Sequence, residues 1–255
     1  MTYSACVVTD VRLGARDQRH AQSAAVGCFL YVRRGGVWIT AERRAYCVTE
    51  GNGVWLPPAV AHSVCAVYGA DICALRIDAG LSADFVPAAR VLNCSDVLIA
   101  IFAATQRSTI ERSFAAVVAL LADELRAVPE IAGHFAVRMP SSGSRVAALC
   151  EALLIHPTRD MAIADAASRA KVSSRTLSRI FTKELGASVG QWRREVQVGA
   201  AMCALVHGIS VAETARVLGF TSSAFSTLFK SRIGNAPREW LARQRTRPPE
   251  RSASG

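Results

Sequence analysis

Residues 161–192, MAIADAASRAKVSSRTLSRIFTKELGASVGQW, occur in this chain a second time in altered form. When the sequence is shifted by 48 positions, they align without a gap on residues 209–240, ISVAETARVLGFTSSAFSTLFKSRIGNAPREW. A gapless internal repeat of this length indicates one structural unit that is built twice. The seven identical pairs are Ala164/Ala212, Ala167/Ala215, Ser174/Ser222, Ser178/Ser226, Phe181/Phe229, Gly186/Gly234 and Trp192/Trp240.

Each copy has the pattern of two short helices separated by a turn. In the first copy an apolar-rich segment, 163–170, is followed by Ser173, whose hydroxyl can cap a second helix. That helix is predicted over 175–185, since its apolar residues recur at helical spacing, and Gly186 ends it. The pattern therefore predicts helix-turn-helix units at 161–186 and 209–234. The apolar positions of the first unit are Leu177, Ile180, Phe181 and Leu185, and those of the second are Phe225, Leu228, Phe229 and Ile233.

The opposite face of each second helix is polar. At about 100° per residue, this face points away from the core that the apolar positions define. In the first unit it is basic, whereas in the second it consists mostly of small hydroxyl side chains. Its residues are Arg175, Ser178, Arg179, Thr182 and Lys183 in the first unit, and Ser223, Ser226, Thr227 and Lys230 in the second.

Residues 145–240 resemble the DNA-binding domain of the AraC/XylS family of bacterial transcription regulators. The resemblance is carried by 172–181, VSSRTLSRIF, by 190–193, GQWR, by 217–220, VLGF, and by Gly234 and Pro237. It implies that a long helix, here 189–207, joins the two units, and that each recognition helix enters one of two successive major grooves. The second turn, before Phe225, is one residue shorter than is usual in the family, so the first recognition helix is expected to follow the family's docking more closely than the second.

The two polar faces predict an unequal division of sequence readout. Arginine offers two donors that match O6 and N7 of guanine, so Arg175, Ser178 and Arg179 are the base-edge candidates of the first unit. Ser223, Ser226 and Thr227 are the weaker candidates of the second, where Lys230 would hold phosphate. For Arg179 an ion pair or a phosphate contact alone is the alternative interpretation.

The positive charge of the chain is concentrated in the half that contains the repeat. Residues 1–156 hold 14 arginines and 13 acidic residues, whereas residues 157–255 hold 16 basic and 7 acidic residues, a net charge of +9. Such an excess attracts the phosphates of nucleic acid. No secretory signal and no segment long enough to cross a bilayer is visible, so a cytoplasmic protein without a membrane partner is expected. The eight cysteines are scattered, which favours buried core thiols over a redox sensor.

The first 94 residues show the pattern of a small β-barrel. Six strands are predicted at 28–32, 37–40, 46–49, 54–56, 63–67 and 72–77, separated by turn signals such as Gly35-Gly36. With Arg19-His20 before the strands, and Val54-Trp55-Leu56-Pro57 up to His62, residues 1–94 resemble the cupin-like sensor of one branch of the same family. The predicted fold class is therefore α+β, with an N-terminal cupin-like barrel and helices, and a C-terminal all-α domain of two helix-turn-helix units.

The barrel interior is the candidate site for a small effector. The candidate residues are His20, Tyr31, Trp38, Trp55 and His62, although strand aromatics are more often part of a core. Cupins that hold a metal use a His-x-His pair, and here the pair is His20-Ala21-Gln22, with an amide as the second ligand. No metal, cofactor or catalytic residue is predicted, and the bland interpretation of each histidine is a hydrogen-bonded side chain at the barrel mouth.

The remaining segments are predicted to connect or to extend these domains. Residues 95–128 are predicted to be helical, with an apolar stripe that packs on the barrel or on a second subunit. Residues 129–144 have linker composition, and 241–255 are predicted to be a basic disordered tail. The stripe consists of Ile110, Phe114, Val117, Leu121 and Leu125.

Together these features favour a sequence-specific transcription regulator. Its expected partners are double-stranded DNA, a second copy of the chain, a small effector and, if it activates transcription, RNA polymerase. A cupin-type metal-dependent enzyme with an appended basic domain is the alternative, and the broken His-x-His pair counts against it. A non-specific nucleoid protein would explain the charge but not a sensor barrel.

Overall fold

A nine-stranded antiparallel region precedes a helical region in the computed structural model, which describes residues 6–21, 26–83, 85–100, 111–127, 134–157 and 161–246. This arrangement confirms the predicted α+β fold class. The strands, together called the barrel, are β1 (Cys6–Leu13), β2 (Gln18–Ala21), β3 (Val26–Ala41), β4 (Arg44–Thr49), β5 (Asn52–Leu56), β6 (His62–Cys65), β7 (Ala70–Asp78), β8 (Arg90–Asn93) and β9 (Ala136–Arg138). The helices are α1 (Glu111–Ala127), α2 (Ala147–Ile155), α3 (Ile163–Arg169), α4 (Ser174–Ile180), which continues as a π-helical turn (Phe181–Leu185), α5 (Val189–Val206), α6 (Val211–Val217), α7 (Ser222–Ile233) and α8 (Pro237–Thr246).

Strand β3 belongs to both sheets of the barrel. Its first half pairs with β5 and β7, and its second half pairs with β4 and β6. A register shift between Val32 and Arg34 marks a β-bulge, which reverses the alternation of inward and outward side chains. Leu30 and Val32 therefore face the inner core before the bulge, whereas Val37 and Ile39 do so after it.

The prediction of a strand break at Gly35-Gly36 was wrong. Gly35 has a φ of +82°, a conformation that glycine adopts without steric cost, and the strand continues through it. The two glycines therefore serve the bend that carries β3 from one sheet to the other. Strands β1, β2, β8 and β9 were not predicted, while the other predicted strands correspond to β4, β5, β6 and β7.

Both outer faces of the barrel are covered by helices. The sheet β1-β7-β3-β5-β8 buries its outer face, including Phe29 and Leu75, against α1. Val117, Leu121 and Leu125 of the predicted apolar stripe are buried there, so these residues pack within the chain and not on a second subunit. Positions 110 and 114 of the stripe lie outside the described side chains.

The opposite sheet shares a single core with the helical region. Trp38 on β3 and Cys47 on β4 pack against α5, where the Cys47 thiol lies 3.3 Å from the carbonyl oxygen of Gly199. The Cys47 Sγ atom also lies 3.7 Å from Cys203 Sγ. The barrel and the helical half are thus in direct apolar contact.

Two predicted segment types need correction. The linker predicted at 129–144 contains β9, which pairs with β4, and its residues Val137 and Met139 are buried in the core shared with α5. The disordered tail predicted from residue 241 is helical up to Thr246, because Trp240 anchors α8 in the same core. Residues 247–255 lie outside the described part of the chain. Among the described residues, no helix combines the length and the apolar character needed to cross a membrane.

Candidate DNA-binding interface and barrel cavity

The two helix-turn-helix units are built alike because equivalent positions cap their second helices. The Ser173 hydroxyl accepts a hydrogen bond from the Thr176 amide at 3.2 Å, which confirms the predicted cap of α4. At the equivalent position of the second unit, the Thr221 hydroxyl accepts from the Ala224 amide at 3.3 Å. Caps of this kind stabilise a helix start by about 1 kcal/mol, so they fix where each recognition helix begins.

Each unit is closed by the same aromatic pair. The rings of Phe181 and Trp192 meet edge to face with centroids 5.8 Å apart, and those of Phe229 and Trp240 meet in the same way at 5.7 Å. All four side chains are buried. These identical positions of the repeat therefore hold each recognition helix against its unit and are not part of the exposed polar face.

The turns of the two units have the same backbone conformation with different residues. Lys171 has a φ of +53°, and the equivalent residue of the second unit, Gly219, has a φ of +74°. A left-handed conformation costs a non-glycine residue about 1–2 kcal/mol, whereas glycine adopts it freely. The first turn is therefore the strained one.

Helix α5 joins the two units and is attached to both. It begins with a capping box at Ser188 and covers the predicted range almost to its end. The Arg193 guanidinium donates to the Met161 carbonyl at 2.5 Å, next to the first unit. Further along, the Glu195 carboxylate pairs with Arg232 of α7 at 3.1 Å. Eighteen residues span about 27 Å, which is of the order of the about 34 Å between successive major grooves.

The predicted reading face of α4 is exposed. Its hydroxyl groups are engaged locally, since Ser178 donates to the Ser174 carbonyl at 3.0 Å and Thr182 donates to the Ser178 carbonyl at 3.1 Å. Within the described residues, neither Arg175 nor Arg179 pairs with a carboxylate, so no protein anion competes for their guanidinium groups. The residues exposed on this face are Arg175, Ser178, Arg179, Thr182 and Lys183.

The corresponding face of α7 carries shorter side chains and fewer cationic groups. Ser223, Thr227 and Lys230 are exposed, whereas Ser226 is half-buried. The Ser223 hydroxyl lies 3.3 Å from the hydroxyl of the capping residue. The second face therefore presents small hydroxyl groups and one flexible cation.

A candidate site for a small ligand lies inside the barrel. It is a cavity of about 380 Å³. His20 and His62, two of the predicted effector residues, line it, and Arg19 and Arg76 line it as well. Sequence reasoning missed Arg76, although its alternation with Ile72 and Ala74 along β7 places all three on one face of the strand. The other lining residues are Val11, Leu13, Val26, Cys28, Leu30, Leu56, Pro57, Val60 and Val64.

Three of the five predicted effector residues do not line this cavity. Tyr31 and Trp55 point outward into the core beneath α1, where the Trp55 indole donates to the Val86 carbonyl at 2.9 Å. Trp38 points outward into the core shared with α5. These three aromatic side chains lie in apolar cores because both faces of their strands are covered, so this cavity gives no support to their predicted contact with an effector. Burial raises the pKa of Tyr31 to about 12, so its hydroxyl stays protonated.

Of the two histidines that line the cavity, His62 has a pKa below its usual value. Burial lowers the pKa of His62, and the nearby Arg76 guanidinium lowers it further, against a hydrogen bond to the Val60 carbonyl that raises it. The Nδ1 atom lies 3.3 Å from that carbonyl oxygen. Among the described residues, no group of three or more histidine, cysteine or acidic side chains is arranged to hold a metal ion.

Comparison with known proteins identifies similar chains. A family model described as a helix-turn-helix domain matches residues 166–243. The HTH-type transcriptional regulator NimR of Escherichia coli is 29% identical over 88% of this chain and 82% of its own length. The structure of ToxT from Vibrio cholerae covers 94% of this chain and 98% of its own at 12% identity, with a TM-score of 0.40. The DNA-binding domain of AdpA in complex with a target DNA covers 43% of this chain and 100% of its own at 28% identity, with a TM-score of 0.39.

Proposed function

We infer that this protein is a transcription regulator of the AraC/XylS type, which binds DNA through two helix-turn-helix units joined by α5. The observation that carries this conclusion is the repeated unit itself, with the same cap, the same Phe–Trp pair and the same turn in both copies. A domain of this type also matches the helix-turn-helix family model, and a relative named as a transcriptional regulator is similar over most of the chain.

The proposed interface consists of the exposed faces of α4 and α7. Arg175 and Arg179 would contact guanine edges, since each can donate two hydrogen bonds and has no protein carboxylate beside it within the described residues. Ser223 and Thr227 would make weaker base contacts, because a hydroxyl accepts from and donates to many base edges. Lys230 would hold a phosphate and fix the register of the second unit.

Binding to the promoter region beside the protein's own gene tests this proposal. The fraction of labelled fragment bound is measured against random-sequence competitor at several salt concentrations, and a footprint gives the extent of the site. We expect protection of two successive major grooves that survives competition. Binding that random DNA abolishes would contradict a sequence-specific regulator and favour a nucleoid protein.

The division of readout between the units is tested by substitution. Arg179→Ala should weaken binding to the specific site by about 5- to 150-fold and binding to random DNA much less, because a good base-edge contact contributes about 1–3 kcal/mol. Ser226→Ala should relax the sequence preference less than Arg179→Ala does. Arg126→Ala is the matched control, since it removes the same charge from an exposed side chain of α1. If Arg179→Ala weakened binding to specific and to random DNA equally, Arg179 would be assigned a phosphate contact and not a base contact.

The remaining elements of the proposal concern control of binding. We propose that a small effector binds in the barrel cavity, that the protein acts as a homodimer in the cytoplasm, and that RNA polymerase is a partner if it activates transcription. A cavity of small-molecule size supports the effector, and the direct contact between β3 and α5 connects the barrel to the DNA-binding half. Light scattering of the purified protein, with and without operator DNA, tests the dimer, and a monomeric mass on DNA would exclude it.

We propose that the barrel is not an enzyme. Two histidines and two arginines line the cavity, and the positive charge of the arginines disfavours a bound metal cation. The cupin-enzyme alternative requires such a cation. Metal analysis of the purified protein tests this point, because a stoichiometric transition metal that His62→Ala removes would revive the enzyme interpretation.

A further inference from the structure

Three exposed arginines lie together at the edge of the barrel that adjoins the first helix-turn-helix unit. Arg44 of β4 is directly opposite Arg138 of β9 in the antiparallel pair, and Arg43 precedes Arg44 in the turn between β3 and β4. The Arg43 carbonyl accepts a hydrogen bond from the Met139 amide at 2.8 Å, so the turn is attached to β9. Residues directly opposite in a strand pair have Cβ atoms about 4.5–5.5 Å apart on the same face. Arg43, Arg44 and Arg138 are called the arginine cluster below.

The arginine cluster lies at the end of the first recognition helix. A Cβ atom at Gly186 would lie 3.3 Å from Arg138 Nη1. Gly186 follows Ser178 and Thr182 at intervals of four residues, and its amide donates to the Thr182 carbonyl at 3.2 Å, so it continues the exposed row of the reading face by one turn. The indole of the buried Trp192 donates to the Arg138 carbonyl at 2.7 Å, which fixes β9 to the first unit. A cation of the barrel is therefore held next to the proposed DNA interface.

No carboxylate of the described residues forms an ion pair with the arginine cluster. The two acidic side chains nearest to it in sequence or across the contact with Gly186 have other partners. Glu42 accepts a hydrogen bond from the Ala89 amide at 2.9 Å, and Glu184 accepts one from the Ser144 hydroxyl at 3.1 Å. Like charges directly opposite in a strand pair destabilise the sheet, so a bound polyanion would relieve a repulsion that the protein alone leaves uncompensated.

The turn that carries Arg43 has an unfavourable backbone conformation. Glu42 and Arg43 form the two-residue loop between β3 and β4, with φ values of +47° and +61°. Loops of this kind favour asparagine and glycine, which adopt the left-handed conformation at low cost. An arginine here lowers the stability of the turn and adds a third positive charge to the cluster, so stability and charge oppose each other at this position.

We propose that the barrel itself contacts DNA, with the arginine cluster on the phosphate backbone that flanks the groove occupied by α4. Arginine donates to phosphate oxygens through its planar guanidinium, and such contacts add affinity and position the protein without reading sequence. Lys183, three residues before Gly186, is exposed near the same end of α4 and extends the cationic surface toward the reading face. This inference rests on the function proposed above, because it adds a contact to the same interface.

The salt dependence of DNA binding by the full-length protein tests the proposal. Each phosphate contact contributes about 0.9 to the slope of log affinity against log salt concentration. Arg44→Gln/Arg138→Gln should therefore reduce this slope by about 1.8, and at 0.1 M salt it should weaken binding about 10- to 60-fold. The loss should be the same on the promoter fragment and on random DNA, because phosphates carry no sequence information. Arg126→Gln is the matched control, since Arg126 is exposed on α1, which covers the other sheet of the barrel.

Two further variants separate a DNA contact from a structural role. Arg44→Lys/Arg138→Lys keeps both charges and should keep most of the slope, whereas packing of the Arg138 guanidinium against Gly186 would be lost in the lysine and glutamine variants alike. Arg43→Gly removes a charge and relieves the left-handed backbone, so it should raise the midpoint of urea unfolding and reduce the salt slope by about 0.9. A variant that is more stable and yet binds DNA more weakly has not lost affinity through damage to the fold.

Three results would overturn the proposal. These are an unchanged slope in either charge-removing variant, an equal reduction by Arg126→Gln, and an equal reduction by the lysine and glutamine double variants. The promoter fragment and random DNA are measured on the same samples. A protein that prefers the promoter fragment but keeps its slope in the glutamine variant refutes the barrel contact alone. One whose slope falls on random DNA but that shows no preference for the promoter fragment refutes the regulator function alone.

Discussion

Gly199→Ala tests whether α5 is packed directly against the barrel. A Cβ atom at position 199 would lie 2.2 Å from Cζ2 and 2.4 Å from Cη2 of Trp38, with Phe135 Cε1 at 3.2 Å. Trp38 is fully buried between β3 and α5, so its ring has no free space into which to rotate. The added methyl group must therefore either separate α5 from the sheet or displace the indole.

The sign of this effect opposes the one that helix propensity predicts. In the middle of a helix, alanine is more stable than glycine by about 0.5–1 kcal/mol. Overpacking a well-packed core costs about 1–3 kcal/mol, so the net change is a loss of about 1–2 kcal/mol. For a protein of this size, that loss lowers the midpoint of thermal unfolding by about 2–8 °C.

Gly190→Ala is the control within the same helix. Apart from the helix's own nearby backbone and the two neighbouring residues, no atom of the described residues lies within 4 Å of a Cβ at position 190, so the substitution should leave the midpoint unchanged or raise it slightly. Thermal unfolding is followed by far-ultraviolet circular dichroism for the two variants and the parent. If Gly199→Ala raises the midpoint as Gly190→Ala does, close packing at this contact is refuted. In a double-mutant cycle with Trp38→Leu, the cost of Gly199→Ala should fall, since the ring that it meets is gone.

Three further predictions concern single positions. Lys171→Gly should stabilise the protein by up to about 1 kcal/mol, and Gly219→Ala should destabilise it by about 1–2 kcal/mol. Urea unfolding measures both changes, and effects of equal sign would contradict strain at the first turn. The pKa of His62 should rise in Arg76→Gln, because burial and the charge of that guanidinium both lower it, and it should stay unchanged in Arg44→Gln, because Arg44 is exposed and does not line the cavity. Nuclear magnetic resonance of the imidazole protons measures this pKa, and equal shifts in the two variants would contradict the assigned cause. Burial raises the pKa of the Cys65 thiol to about 12, so iodoacetamide at pH 8 should label it only after unfolding, and mass spectrometry that finds rapid labelling of the folded protein would refute its burial.

The DNA-binding half could be predicted from sequence because its signals are local and occur twice. A cap such as Ser173 acts on an amide three residues away, and the apolar face of α4 has the spacing of its own helix. The repeat supplied a second, independent copy of each signal. What it did not reveal was Lys171, because a left-handed lysine carries no mark in the sequence until Gly219 is seen at the equivalent position.

The barrel was predicted less well because its decisive contacts join distant parts of the chain. Alternation along a strand identifies an inner face only if the outer face is polar, and here α1 covers one sheet and α5 covers the other. Trp38 and Trp55 were therefore assigned to the cavity although they pack outside it. The bulge after Val32 adds to the difficulty, since it reverses the parity of inward-facing residues within one strand.

Because both faces of the sheets are covered, the sequence also contained no sign that Arg76 lines the cavity. Arg76 stands between the buried residues Leu75 and Ile77, which face α1, so the sequence reads as an apolar strand with one surface arginine. Only the pairing of β7 with β3 shows that this arginine ends the row that begins with Ile72 and Ala74 on the cavity side. Arg76 is exposed and also lines the cavity, so an ionisable residue that interrupts a strand buried on its other face is a candidate for a ligand contact at the edge of a cavity.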